Sequence, residues 1–344
     1  MRLARNLLLS VAIALLVSAP GARAAGTDEA FSLVPADAVS VGAVHFDALR
    51  ASPLAGKLFA ETDELTVDGD AAKFLEETGL RPKQDVDLMV FAALASSTGR
   101  PGSNALVFFE GRFDPPRLEA AIEARGAVRK ESPKGSYLLV GGRHGEGNPA
   151  AIAFVGRRLA VAGNPAAVSR ALEDHASGGS GFLRGEGLGR QMHRVPADAS
   201  AWAIVDATRA PFATGRSRDS RDGDAADALV GAMKSVTLFV LHATARGDSV
   251  ELSATGLSPD EDTRGLLEDA LRGLVAMWRL AIHEKSPEMV PILRRFQIER
   301  DGEGVSITGT LPASFVRKLV ERGEWGQVST CHIEGQVSTC HIER

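Results

Sequence analysis

The sequence predicts an α+β protein of two similar halves, each a mostly antiparallel sheet with helices packed on one face. Three observations predict this. Strand-like runs come in pairs joined by short turns, which implies antiparallel hairpins. Apolar segments that open on a proline follow those pairs and read as helices. The order of these elements in residues 30–175 recurs in residues 195–322.

The first element is an export signal, Met1 to Ala24. Arg2 and Arg5 supply a positive start, Leu7 to Val17 is apolar except at Ser10, and Ala22-Arg23-Ala24 offers small residues for cleavage. The expected mature chain begins at Ala25. The apolar run is shorter than the roughly 20 residues of a membrane-spanning helix, and no later segment is long and apolar enough to span.

The first half opens with Val34-Pro35-Ala36-Asp37-Ala38 and a strand over Val39 to Phe46, followed by Asp47 and a short helix. The runs Val86 to Leu94 and Ala105 to Phe109, joined by a loop at Ser96 to Ser103, form a hairpin. Asp114 and Pro115 then start a helix running to Arg125. Ala151 to Val155 and Leu159 to Ala162 form a second hairpin, and a helix runs from Pro165 to Glu173. Residues 176–194 are glycine-rich and read as a linker.

The second half repeats the order. Val195-Pro196-Ala197-Asp198-Ala199 leads into a strand at Trp202 to Val205, then Asp206 and a short helix. A hairpin joins Val236 to Thr244 with Val250 to Thr255. Ser258 and Pro259 start a long helix to about Glu284, with Ser258 and Glu261 spaced as a capping box. Leu267, Leu271, Leu274, Trp278 and Ile282 lay one apolar stripe along it, read as a core-facing side. A last hairpin, Phe296 to Arg300 with Val305 to Thr308, leads to a helix from Pro312 to about Arg322. Gly215 to Asp227 reads as a polar loop. Whether the halves build two sheets or one is left open.

The Val-Pro-Ala-Asp-Ala openings, the strand at Trp202 and the hairpin-to-helix at Ala160 to Glu173 resemble bacterial exported proteins with a duplicated α+β domain of unknown function. The resemblance covers most of residues 30–322. It implies a signal peptide and a duplicated domain, and no activity, cofactor or site residues.

Composition excludes several classes. Apolar content of 44% can build sizeable cores, and a formal net charge of −5 gives no reason to expect nucleic acid as a partner. The only cysteines are Cys331 and Cys340, so the body folds without disulfides. Gly185-Glu186-Gly187-Leu188-Gly189 has the wrong spacing for a dinucleotide fingerprint, and neither a phosphate loop nor a nucleophile elbow is present. No cofactor is therefore expected. The acidic clusters Asp63-Glu64, Asp68-Gly69-Asp70 and Asp219 to Asp227 fit no calcium loop and read as solvated. Asp47 and Asp206 are the best placed carboxylates, because each follows a strand at matching positions. They read as caps, or as an acid pair at the interface of the halves. His45, His242 and His283 have no metal-ligand spacing.

Residues 323–344 form a tail in which Gly326 to Glu334 recurs, residue for residue, as Gly335 to Glu343. It reads first as a coding extension without a role. Two sharper readings stand beside that one. Cys331, His332, Cys340 and His341 are candidate metal ligands. A hairpin turning at Gly335-Gln336 would place Cys331 opposite Cys340, close enough for a disulfide.

The expected function is that of an exported, non-enzymatic envelope protein, periplasmic or secreted, that binds or scaffolds an unknown protein or envelope component. The alternatives are an exported hydrolase working through Asp47 and Asp206, and a metal-handling protein working through the tail.

Overall fold

The computed structural model describes residues 29–51, 69–95, 104–132, 134–141, 149–179, 181–210, 235–285 and 290–315. The expected signal segment, the expected loops at Ser96 to Ser103 and Gly215 to Asp227, and the tail lie outside them.

Strands from both halves join in one antiparallel sheet. In chain order they are β1 (Ala38–His45), β2 (Val86–Leu94), β3 (Ala105–Gly111), β4 (Val128–Ser132), β5 (Gly135–Val140), β6 (Ala150–Val155), β7 (Leu159–Gly163), β8 (Ala201–Asp206), β9 (Leu238–Arg246), β10 (Ser249–Leu257), β11 (Gln297–Arg300) and β12 (Gly304–Pro312). Their order across the sheet is β11-β12-β10-β9-β8-β1-β2-β3-β7-β6-β5-β4. The hairpin β4–β5 is an addition to the expected pattern. Its strand β4 is exposed along most of its length, so Val128-Arg129-Lys130-Glu131-Ser132 shows no alternation to read.

The halves meet where β1 pairs antiparallel with β8, and Gly42 stands opposite Ala203. Those two positions are 161 residues apart, the same offset as Val34 and Val195. A side chain at Gly42 has no room. A Cβ there would lie 2.0 Å from the Phe91 ring and 2.7 Å from the Trp202 carbonyl.

Alternation along the strands gives the sheet two faces. Face A carries Val41, Ala43, Leu88, Val90, Leu106, Phe108, Trp202, Ile204, Leu238 and Val240 in one core. Three pieces close it. They are the 3-10 turn η1 (Ala30–Leu33), the 3-10 helix η2 (Gly187–Arg194), and a helix at Pro165–Ala176, labelled α5 in the order that follows. Face B is closed over the first half by α1 (Phe46–Arg50), α2 (Gly69–Thr78) and α4 (Pro115–Ala124), with α3 (Pro82–Asp85) beside β2. Over the second half it is closed by α6 (Glu261–Lys285), whose Leu267 and Leu271 pack on Phe239, Ile298 and Val305, with the short α7 (Val290–Leu293) beside it.

The class is thus α+β with an antiparallel sheet, but helices lie on both faces rather than one. The cause is visible in β2, where Val86-Asp87-Leu88-Met89-Val90-Phe91-Ala92-Ala93-Leu94 is apolar on both sides and both sides need cover. β10 keeps the expected alternation, with Ser249, Glu251, Ser253 and Thr255 on face A and Val250, Leu252 and Ala254 on face B.

Several boundaries differ for local reasons. The glycine-rich stretch is no slack linker: Phe182 and Leu188 are buried in the face A core. Its glycines permit close approach, since a Cβ on Gly189 would lie 2.0 Å from the Phe182 carbonyl oxygen, and Gly187 has φ +53°. Of the acidic cluster Asp68-Gly69-Asp70, the last two residues open α2 rather than a loop, and Asp68 lies outside the described residues. The long helix starts at Glu261 and is capped by Asp260, whose carboxylate accepts the Thr263 N–H at 2.7 Å. The expected capping box is absent: Ser258 Oγ is buried without a partner, and Glu261 pairs with Arg264 and Arg300. Pro312 ends β12, and helical residues begin at Ala313. The short helix expected after Asp206 is a hydrogen-bonded turn, Ala207 to Ala210.

Candidate functional site

Asp47 and Asp206 do not meet. β1 and β8 run antiparallel, so the C-terminal end of β1 lies beside the start of β8, where the His45 N–H donates to the Ser200 carbonyl. Asp206 lies at the other end, where Arg209 donates to the carbonyls of Asp37 and Ala38. About eight residues of strand, on the order of 26 Å, separate the two ends. No acid pair forms between Asp47 and Asp206, because the strand direction holds them at opposite ends of the β1–β8 seam.

Each carboxylate has a local setting. Asp206 accepts the N–H and hydroxyl of Thr208 at 3.0 and 2.6 Å and pairs with Arg209 Nε at 2.6 Å. Burial opposes its charge, but the bonds from Thr208 and Arg209 outweigh it and hold the carboxyl below the usual aspartate range. It caps the turn that stands in place of the expected helix. Asp47 lies in the first turn of α1 with its Oδ1 buried and unpartnered, and no side chain caps that helix.

Cys331, His332, Cys340 and His341 lie outside the described residues, as does the side chain of His283. Among the described residues no group of three or more histidine, cysteine, aspartate or glutamate side chains could hold a metal ion.

The arrangement that gathers chemistry is face A where β8, β9, β10 and β12 adjoin. The register places Trp202, His242, Ser253 and Thr308 in one row across four strands. The next row runs from His45 through Thr244 and Glu251 to Thr310. Trp202 and Thr244 are buried, whereas His242, Ser253, Thr308 and Thr310 are half-buried. At the rim, Arg246 bridges Asp198 at 2.8 Å and Glu251 at 3.5 Å. The indole Nε1 of Trp202 and the Nδ1 of His242 are buried and have no hydrogen-bond partner. Burial pushes the His242 imidazole below its ordinary value, against the pull of Glu251 and Asp198. The apolar core on this face reaches Val240 and Leu257. Beyond it, Ser253, Thr255, Ser306, Thr308 and Thr310 form a hydroxyl-bearing surface on rigid strands. Such a surface has donors and acceptors fixed in register.

A second polar centre ties down η1. Glu110, 1% exposed on face A, accepts the Ala30 N–H at 3.2 Å and pairs with Arg158 at 3.0 Å. Burial raises the pKa of this carboxyl despite Arg158. Ser32 Oγ lies 2.5 Å from the Glu29 carbonyl and 2.8 Å from His175 Nδ1. The single hydroxyl proton goes to that carbonyl, so the imidazole is the donor and does not act as a base toward Ser32. Phe31 stacks between Phe182 and Trp202, with ring centroids 5.7 Å from each.

Neither Glu110 nor the row through His242 was named by motif reading. The available signals were a glutamate inside the apolar run Ala105 to Gly111, and a histidine inside a strand flanked by apolar residues.

No family model and no curated protein matches the chain. Among solved structures, crystal form I of TP0453 is similar with a TM-score of 0.44 and 11% identity, covering 85% of this chain and 96% of that one. Crystal form III of TP0453 gives 0.46 and 10%, covering 85% and 97%. Likeness at this level says nothing about activity.

Proposed function

We propose that the chain is an exported, non-enzymatic protein of the bacterial envelope that binds or scaffolds another component, and that face A of β9, β10 and β12 is its binding surface. One observation carries the surface. Face A is closed over the first half by η1, α5 and η2, whereas over β10 and β12 it presents Glu251, Ser253, Thr255, Ser306, Thr308 and Thr310. Fixed hydroxyls and a carboxylate beside a half-buried histidine suit recognition of a polar partner. Export rests on the segment Met1 to Ala24. Among the described residues no helix is long and apolar enough to cross a membrane.

Among the described residues, η1, α5 and η2 cover face A over the first half and no counterpart covers it over β10 and β12, an asymmetry that fits divergence after a duplication. Supporting duplication, Val-Pro-Ala-Asp-Ala occurs at 34–38 and 195–199, and Asp-Gly-Asp-Ala-Ala at 68–72 and 222–226. The antiparallel pair Gly42–Ala203 is what a twofold relation between the copies requires, because equivalent positions meet only on such an axis.

The test is site-specific photo-crosslinking in the producing bacterium. A photoreactive residue replaces Ser253 or Thr308, and Asp269 on the exposed side of α6 serves as control. Discrete adducts at Ser253 and Thr308, absent at Asp269, are expected. No adduct, or equal adducts at all three, would contradict the assignment of the surface.

A further inference from the structure

Trp202 and His242 stand directly opposite each other on β8 and β9, on face A, and each buries a ring nitrogen without a partner. The indole Nε1 can only donate. A neutral imidazole can turn a lone pair toward the shared interior, but an imidazolium carries N–H on both nitrogens. With His242 neutral, the two rings offer one donor and one acceptor between them. With His242 charged, both rings offer only donors, the Ser253 hydroxyl opposite is left to serve both, and a donor left unmet costs its desolvation.

Other groups bear on this pair. From β10, Ser253 lies opposite His242 and Glu251 one step along; Asp198 comes from the segment leading into β8; on β9 itself, Thr244 and Arg246 share the face. Glu251 and Asp198 favour a charged His242, and Arg246 bridges both carboxylates. At the end of η2, Arg194 is held by Glu303 and Gln191, and His193 by the Arg190 carbonyl. On its other side Trp202 stacks on Phe31, which stacks on Phe182.

We propose that His242 is an acid-responsive switch in the sheet. Neutral, it shares the buried row with Trp202. Protonated, it leaves that row for Glu251 and Asp198, which loosens Trp202 and, through the Phe31 stack, η1. The switch rests on the Trp202–His242 pair and on the carboxylates of Glu251 and Asp198; it shares residues with the surface proposed above, but its readout needs no bound partner.

The experiment follows Trp202 and His242 together by NMR from pH 8 to 4.5, with the indole resonance identified by its loss in W202F. The Trp202 indole N–H and the His242 ring protons are expected to shift with one common midpoint, below the ordinary histidine value. In H242Q the indole shift over this range disappears. E251Q moves the midpoint lower still, because a carboxylate that favours the imidazolium is gone. The proposal is overturned if the Trp202 resonance stays still while His242 titrates, if its shift persists in H242Q, or if E251Q raises the midpoint. Should H242Q fail to fold, the common midpoint in the native chain and its direction of change in E251Q decide.

Discussion

At the scale of single residues, two positions carry much of the fold's specificity. Gly42 lies under the Phe91 ring at the centre of the sheet, and G42V forces the ring and the β8 backbone away. Overpacking of this kind costs about 1–3 kcal/mol, so a lower denaturant midpoint with an unchanged slope is expected. Glu110 is a buried carboxylate with two partners. E110A leaves the buried Ala30 N–H short of an acceptor, while Arg158 is exposed enough to be solvated, a loss of about 1–3 kcal/mol, whereas E110Q keeps the shape and costs less. His242 makes stability depend on pH. Its native pKa lies below its unfolded value, so the unfolded state binds more protons below the ordinary histidine range. Stability therefore falls as pH drops through about 6.5, and H242Q removes that slope in urea titrations at pH 7.5 and 5.5. Asp206 was legible as a cap because a strand end followed by Ala-Thr-Arg invites one. His242 was not, because its importance comes from Trp202, forty residues away in sequence and opposite in space.

At the scale of elements, η1 acts as a plug. Ala30, Phe31, Leu33 and Val34 are buried, and they tie β3, α5, η2 and β8 together. F31A empties the stack between Phe182 and Trp202 and is expected to cost about 3–5 kcal/mol, read as a loss of thermal midpoint and a change in tryptophan fluorescence. Most strands were legible, since β2 lies where its apolar run does, and the turns at Gly156 and Gly247 carry glycines at positive φ. The misread elements share a cause. Asp68-Gly69-Asp70 was read by its charge, although Ala71, Ala72, Phe74 and Leu75 follow at helical spacing and the same pentapeptide recurs at 222–226. The stretch before η2 was read by its glycines, although Phe182 and Leu188 mark it as core. In both, local composition hid a tertiary role.

At the scale of the whole molecule, the β1–β8 pair makes the two halves one folding unit. Cutting between residues 194 and 195 would expose β1 and β8 as long central edges with apolar faces. Neither half is expected to be soluble alone, and the full chain should unfold in a single transition by both fluorescence and circular dichroism. The joining of the halves in one sheet was not legible, because register between distant strands leaves no local mark. The measurement that tests the central claim most directly is the intact mass of the chain isolated from the bacterial envelope, first denatured and then native. A denatured chain beginning at Ala25, with an additional native mass lost in a Thr308→Asp variant, is the result expected of an exported protein that binds on face A. A chain retaining Met1 in the cytoplasmic fraction, or a native mass unaltered by that variant, would contradict it.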